Sequence, residues 1–193
     1  MSEFFGANKK YKTIYADPPW MERGAGECKR GADRHYQLMS TKDICKIPVE
    51  ELAGENCHLY LWTTNNFLPD GLMVMRAWGF RYVTMITWVK DRIGLGQYFR
   101  GMTEHCLFGV KGYLDYKVDG NNRIQGKTVI HAPRIIHSRK PQEMREMIER
   151  VSYSPRIELF ARTPDETPLL DENIHTGWDV WGNETISVKH TGL

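Results

Sequence analysis

The run from Thr13 to Trp20, T-I-Y-A-D-P-P-W, constrains this chain more than any other, because a short apolar strand there runs directly into an acid, two prolines and a large aromatic ring. Ile14 and Ala16 fall on one face of a buried strand. Pro18 and Pro19 cannot donate ladder hydrogen bonds, so pairing stops where Asp17 begins and the acid is presented at the strand's carboxyl end. In open α/β sheets that rim is where ligands bind. A fixed carboxylate and a proline carbonyl can accept both protons of an exocyclic amine, and Trp20 offers a ring for stacking. Enzymes that modify a base flip it out and sandwich it against aromatic or apolar side chains. The competing reading is a proline turn with a helix-capping acid and a core tryptophan. The aromatic placed directly after the turn favours the first.

A chain of 193 residues has room for one domain with a sizeable core and not for two of ordinary size. The expectation is a single domain over 1–193 with no separate target-recognition domain. No apolar run approaches the ~18 residues of a membrane span, and the N-terminal M-S-E-F-F-G-A-N-K-K lacks the features of a signal peptide. Cys28, Cys45, Cys57 and Cys106 form no C-x-x-C pair, and the histidines have no regular ligand spacing. Reduced thiols, no metal and a cytoplasmic location are expected, although four cysteines are also compatible with secretion. A formal charge of +2 decides nothing about nucleic acid, since only clustered Lys and Arg make an electrostatic footprint.

After the turn, M-E-R-G-A-G-E-C-K-R-G-A-D-R-H-Y has neither helical nor strand period and carries Arg23, Lys29, Arg30 and Arg34. It reads as a loop, either a solvated excursion or a gate that contacts phosphates; its departure from the acidic turn favours the gate. Ser40 or Thr41 caps a short helix through Ile47, and Pro48 opens a turn whose apolar side is Val49 and Leu52. His58 to Trp62 predicts a buried strand. A helix over Phe67 to Trp78, started by Asn65-Asn66 and ended by Gly79, follows. Tyr82 to Lys90 alternates as a strand. Arg92 to Thr103 interleaves Arg92 and Arg100 with Tyr98-Phe99, which fits a nucleic-acid contact and equally a loop folded onto the sheet. Glu104 to Lys111 is a further strand, and 112–134 is polar and irregular around a hairpin signal at Asp119 to Asn122. The helix from Pro141 to about Val151 has Lys140 just before it, so a carboxylate can dock there. Ile157 to Ala161 is a buried strand, 163–176 is a polar excursion, and 177–184 closes the domain.

Asp17-Pro18-Pro19-Trp20 resembles the catalytic motif of S-adenosylmethionine-dependent adenine N6-methyltransferases, in the family that includes the catalytic subunit of eukaryotic mRNA adenosine methyltransferase. The similarity continues in family order through His35-Tyr36, L-Y-L-W-T-T (Leu59 to Thr64), W-G-F (Trp78 to Phe80), I-T-W-V-K (Ile86 to Lys90), E-H-C-L-F-G-V-K-G (Glu104 to Gly112), H-S-R-K-P (His137 to Pro141), I-E-L-F-A-R (Ile157 to Arg162) and W-G-N-E (Trp181 to Glu184). The resemblance implies an α/β Rossmann-like methyltransferase fold, with a mostly parallel central sheet, helices on both faces and a circularly permuted motif order. The catalytic turn then lies near the N-terminus and the cofactor strand, Ile157 to Ala161, near the C-terminus.

It further implies Asp17, Pro18, Pro19 and Trp20 as catalytic, and Asp17, Lys140, Arg162, Asn183 and Glu184 as contacts of S-adenosylmethionine. Tyr36 and Glu104 are implied at the substrate, although a tyrosine before a helix also serves as a core anchor. Arg23, Lys29, Arg30, Arg34, Arg92 and Arg100 are the expected phosphate contacts. Three features depart from the larger members: little chain ahead of the catalytic strand, where Asn8 to Lys12 would have to substitute; Thr163-Pro164 with a longer insertion; and Glu184 in place of Gln. Compact, free-standing members look like bacterial or phage DNA enzymes, so the expected reaction is N6-adenine methylation of DNA. The alternatives are the same reaction on RNA and a non-catalytic nucleic-acid-binding subunit. A homodimer or related partner subunit fits paired members of the family, and no membrane role is expected.

Overall fold

The computed structural model describes residues 9–21, 38–96, 98–113, 116–134, 140–161 and 177–182. Its centre is the strand β1, Tyr11–Ala16, in which every residue except Lys12 is buried. β1 lies between two parallel neighbours, β2 (Ala53–Thr63) and β8 (Arg156–Leu159), so Ile14 pairs with Leu59 on one side and Ile157 on the other. A strand enclosed in this way reads as a nearly continuous apolar run.

The seven-stranded sheet adds β3 (Arg81–Val89), β4 (Thr103–Lys111), β7 (Val129–His131) and β9 (Trp178–Trp181), in the order β7-β3-β4-β2-β1-β8-β9. β4 alone runs antiparallel to its neighbours β2 and β3; all other pairs are parallel. This is the mostly parallel, Rossmann-like sheet expected. The permuted order is visible in the pairing of β1 with β8, which brings together the first strand of the sheet and its last but one in the chain.

Two helical layers cover the sheet. On one face α1 (Thr41–Cys45) and α2 (Leu68–Ala77) bury Ile44, Val74 and Met75 against Ile14, Leu59, Leu61, Leu107 and Leu159. On the other, α3 (Gln142–Val151) buries Met144, Met147 and Ile148 against Tyr15, Tyr60, Trp62, Trp88 and Cys106. The division follows the period of two in each strand: residues 14, 59, 61 and 107 face one layer and residues 15, 60, 62 and 106 the other. α2 approaches closely at two glycines. A Cβ at Gly109 would lie 2.8 Å from Met75 Sδ, and one at Gly71 would lie 3.0 Å from Leu107 Cδ1.

Local chemistry explains the element ends. Ser40 caps α1 by accepting the Asp43 amide, and Gly79 takes φ +81° as α2 stops. Val49 and Leu52 are buried in and beside a short 3-10 turn, Val49–Glu51, as Pro48 suggested. Two expectations differ from the fold. α2 is preceded by a separate 3-10 turn, Asn65–Phe67, rather than starting at Phe67, because Pro69 sits in its first turn and Asn65 is engaged elsewhere. Within the stretch expected to be irregular, Val129–His131 forms a sheet strand; three residues are too few to show a period, and the pairing with Thr87 to Val89 makes the strand. The hairpin signal is borne out by the small β5 (Val118–Asp119) and β6 (Asn122–Arg123).

Candidate active site

Because β4 is antiparallel, its beginning lies on the same rim as the carboxyl ends of β1, β2, β3 and β8. That rim therefore gathers Asp17 after β1, Lys90 after β3, Glu104 early in β4 and Lys140 just ahead of α3. Lys140 Nζ lies 2.6 Å from Asp17 Oδ2 and 3.4 Å from Glu104 Oε2, and Lys90 Nζ lies 2.5 Å from Glu104 Oε1. The result is an alternating line of two cations and two anions. Its side chains are between 14 and 23 % exposed, so the charges are partly withdrawn from water yet reachable from it.

The floor beneath is aromatic. Lys140 Nζ is 5.3 Å from the centre of the Trp62 ring and Lys90 Nζ 4.8 Å from that of Trp88; the two tryptophans meet edge to face at 6.2 Å. Each indole N–H is satisfied: Trp62 donates to the Tyr15 hydroxyl at 2.7 Å, and Trp88 to the Ala132 carbonyl at 2.8 Å. Cations over aromatic faces are attracted by the ring quadrupole, so the floor holds both lysines at a fixed height.

Burial alone would push the Glu104 carboxyl up, but Lys140 and Lys90 outweigh it and hold Glu104 below the ordinary carboxylate range. Glu158, opposite Tyr15 on β8, is pushed up by burial despite its pair with Arg145. Burial, with Glu158 adding to it, also pushes the Tyr15 phenol well up, and so keeps it neutral. Beside Glu104, the His105 ring links Thr87 Oγ1 at 3.1 Å to Asn65 Oδ1 at 2.5 Å, and burial lowers its tendency to protonate.

The turn after β1 is closed by its own backbone. Pro18 O accepts the Trp20 amide at 2.9 Å and retains a second lone pair, while Pro19 O accepts the Met39 amide at 2.8 Å. Met21 in turn donates to Met39 O at 3.1 Å, so the chain leaving at Met21 and the chain arriving at Met39 are held side by side. Trp20 differs from the expectation of a stacking ring open to a base. It is buried, stacked on Phe67 at 5.5 Å and 22°, and donates from Nε1 to Trp62 O at 3.1 Å. The 3-10 turn ahead of α2 explains this, since its Phe67 occupies the face that the sequence left open.

Lys140, the residue expected to receive a ligand carboxylate at the start of α3, pairs within the chain with the carboxylates of Asp17 and Glu104. At the far side of the rim, β8 is followed by Phe160, a non-glycine residue at φ +63°, packed edge-on against Trp181 at 5.5 Å. A Cβ at Gly182 would overlap the Ala161 carbonyl oxygen. Strained backbone of this kind concentrates at ligand-binding turns.

Arg92 and Arg100 lie on the β3–β4 connection, apart from the line of charges. That connection is drawn together by Lys90 N to Met102 O at 2.8 Å and Gly94 N to Gly101 O at 2.7 Å, and Arg100 Nε donates to Gly94 O at 2.9 Å. Tyr98 and Phe99 are 94 and 92 % exposed, so they do not fold onto the sheet. Arg23, Lys29, Arg30, Arg34, Tyr36, Arg162, Asn183 and Glu184 lie outside the described residues. Sequence reasoning passed over Lys90, whose signal was its place at the carboxyl end of a strand, and over the Asn65–His105–Thr87 link, which has no local signal.

The MT-A70 family model matches residues 11–184, from the first residue of β1 to beyond β9. The chain belongs to the MT-A70 family. MT-A70 methyltransferases use S-adenosylmethionine as methyl donor, and the class of reaction is methylation of adenine at N6. Similar proteins include the type II methyltransferase M.MunI of Mycoplasma sp, 28 % identical over 195 residues that cover 91 % of this chain and 78 % of that protein. The putative N(6)-adenosine-methyltransferase MT-A70-like of Medicago truncatula is 31 % identical over 193 residues, covering 93 % of this chain and 27 % of its own. The human N(6)-adenosine-methyltransferase catalytic subunit METTL3 is 30 % identical over 188 residues, covering 91 and 28 % respectively. The chain thus spans just over a quarter of the two N(6)-adenosine-methyltransferases and most of the type II enzyme. Among the described residues, no helix is long and apolar enough to cross a membrane.

Proposed function

We propose that this protein methylates the N6 amine of adenine in DNA. The observation that carries the reading is the Asp17 carboxylate at the carboxyl end of β1, its Oδ2 held by Lys140 at 2.6 Å and its Oδ1 without a donor among the described residues. Oδ1 accepts one proton of the amine and the spare lone pair of Pro18 O the other, which aims the nitrogen lone pair for in-line attack; most of the rate gain is then positioning. S-adenosylmethionine supplies the electrophilic methyl group when bound. The residues suit it: Lys140 offers a cation to its carboxylate, Asp17 an anion near its sulfonium, and the pinched ends of β8 and β9 a shaped rim. Arg162, Asn183 and Glu184 follow those ends directly in sequence and are assigned to the same cofactor.

Glu104, both of whose oxygens are taken by lysines, supports the substrate site from behind. Trp20 stiffens the turn, and Tyr36 is assigned to the base. DNA is favoured over RNA by the likeness to the type II methyltransferase M.MunI along 91 % of this chain. Arg23, Lys29, Arg30 and Arg34, with Arg92, Arg100 and the exposed Tyr98-Phe99 pair, are assigned to the nucleic acid. Target reading falls to these loops or to a second subunit in a paired assembly.

The deciding experiment incubates the protein with methyl-labelled cofactor and separate DNA and RNA substrates, then identifies the modified nucleoside. Label in N6-methyladenine from DNA is expected. Label only in RNA transfers the proposal to the second polymer, and label in neither overturns it.

A further inference from the structure

Lys90 has no part in the assignments above, yet it makes the tighter of the two contacts to Glu104, 2.5 Å against 3.4 Å for Lys140. Glu104 is largely buried, and a buried carboxylate left with too little compensating charge is costly. Were Lys140 its sole counter-ion, one ammonium would have to serve two carboxylates, and the more buried one would draw it inward from Asp17. We propose that Lys90 is a positioning residue for the reaction: by taking one oxygen of Glu104, it leaves Lys140 seated on Asp17. The inference rests on the reading of Asp17 as the group that receives the amine. Among the described residues, the charged and titratable groups around Glu104 are Lys90 from the end of β3, Lys140 ahead of α3, Asp17 beyond Lys140 just after β1, and His105 next to it on β4, whose ring is tied to Thr87 and Asn65. Lys90 also stands at the neck of the β3–β4 connection, its amide bonded to Met102 O at 2.8 Å, so its backbone is held at the site.

The test uses the full chain and three variants, Lys90→Met, Lys90→Arg and the double variant Lys90→Met/Glu104→Gln. Lys90→Met is expected to lower kcat by about tenfold, the scale of one charged hydrogen bond, with KM for DNA little changed. Lys90→Arg restores much of the loss, because the charge returns. The double variant is read by melting temperature at pH 7, where it recovers part of the deficit of Lys90→Met because the uncompensated carboxylate is gone.

A second readout does not need activity. Glu104 is held below its unfolded value, so the stability it contributes is present above that value and is lost as pH falls through the lowered one. With Lys90 removed, Glu104 takes up its proton at higher pH, and the deficit of Lys90→Met in melting temperature narrows between pH 7 and pH 4. A role limited to packing over Trp88 would leave that deficit constant. A constant deficit, or a double variant no more stable at pH 7 than Lys90→Met, overturns the proposal. Wild-type protein that methylates neither polymer overturns the functional reading instead, and the melting deficit still judges the pairing of Lys90 with Glu104.

Discussion

Asp17 and Lys140 touch, so their roles are separable only by what each variant does to kcat and KM. Asp17→Ala removes the acceptor that strengthens as the amine attacks, and the loss of one preorganised transition-state hydrogen bond typically costs about a hundred to a thousandfold in rate. Its fold and much of its cofactor affinity are expected to survive, since Lys140 keeps Glu104. Lys140→Ala is expected to raise KM for S-adenosylmethionine by roughly ten- to a hundredfold, the equivalent of a charged hydrogen bond. Because Lys140 Nζ also holds Asp17 Oδ2 at 2.6 Å, kcat falls as well. Steady-state kinetics together with calorimetry of cofactor binding check both; near wild-type turnover by Asp17→Ala sinks its assignment, and unchanged cofactor affinity in Lys140→Ala confines that lysine to seating Asp17.

At the scale of elements, the site depends on how closely α2 lies on the sheet, because Phe67 at its head is what Trp20 stacks on and Trp20 in turn stiffens the acidic turn. Gly109 sets that distance. An alanine there would place a methyl 2.8 Å from Met75 Sδ and 3.0 Å from the Arg81 carbonyl oxygen, and only the methionine can yield. Overpacking of this kind costs about 1–3 kcal/mol, so Gly109→Ala is expected to lower the denaturation midpoint with the slope unchanged. Urea unfolding checks it, and a midpoint equal to wild type would mean that Met75 relaxes without moving α2.

For the whole molecule, the question is how one sheet with helices on both faces meets a charged polymer as well as a cofactor. Phosphate contacts dominate affinity for nucleic acid, and fewer of them make binding less sensitive to salt. Replacing Arg23, Lys29, Arg30 and Arg34 together by Ala is expected to flatten the salt dependence of DNA binding while sparing cofactor binding. Fluorescence anisotropy across a salt series reads the slope, and an unchanged slope would return the loop to a solvated excursion and shift the burden to Arg92 and Arg100.

What the sequence determined by itself was local: β1 and its abrupt stop at Pro18-Pro19, a cap at Ser40 or Thr41, the end of α2 at Gly79 and the apolar stripe of α3. These were legible because propensity, period and turn chemistry act over a few residues. Membership of the methyltransferase class was legible too, through motifs spread in order along the chain. The tertiary structure alone decided what those motifs touch. Asp17 and Lys140 are 123 residues apart, and only the parallel pairing of β1 with β8, the antiparallel turn of β4 and the placement of α3 bring Lys90, Glu104, Lys140 and Asp17 into one line. Trp20 shows the same limit at one residue: its neighbours in sequence suggest an open stacking ring, whereas Phe67, from another element, closes that face. Long-range register carries no signal within a window of sequence, so the partner of each charge had to come from the fold.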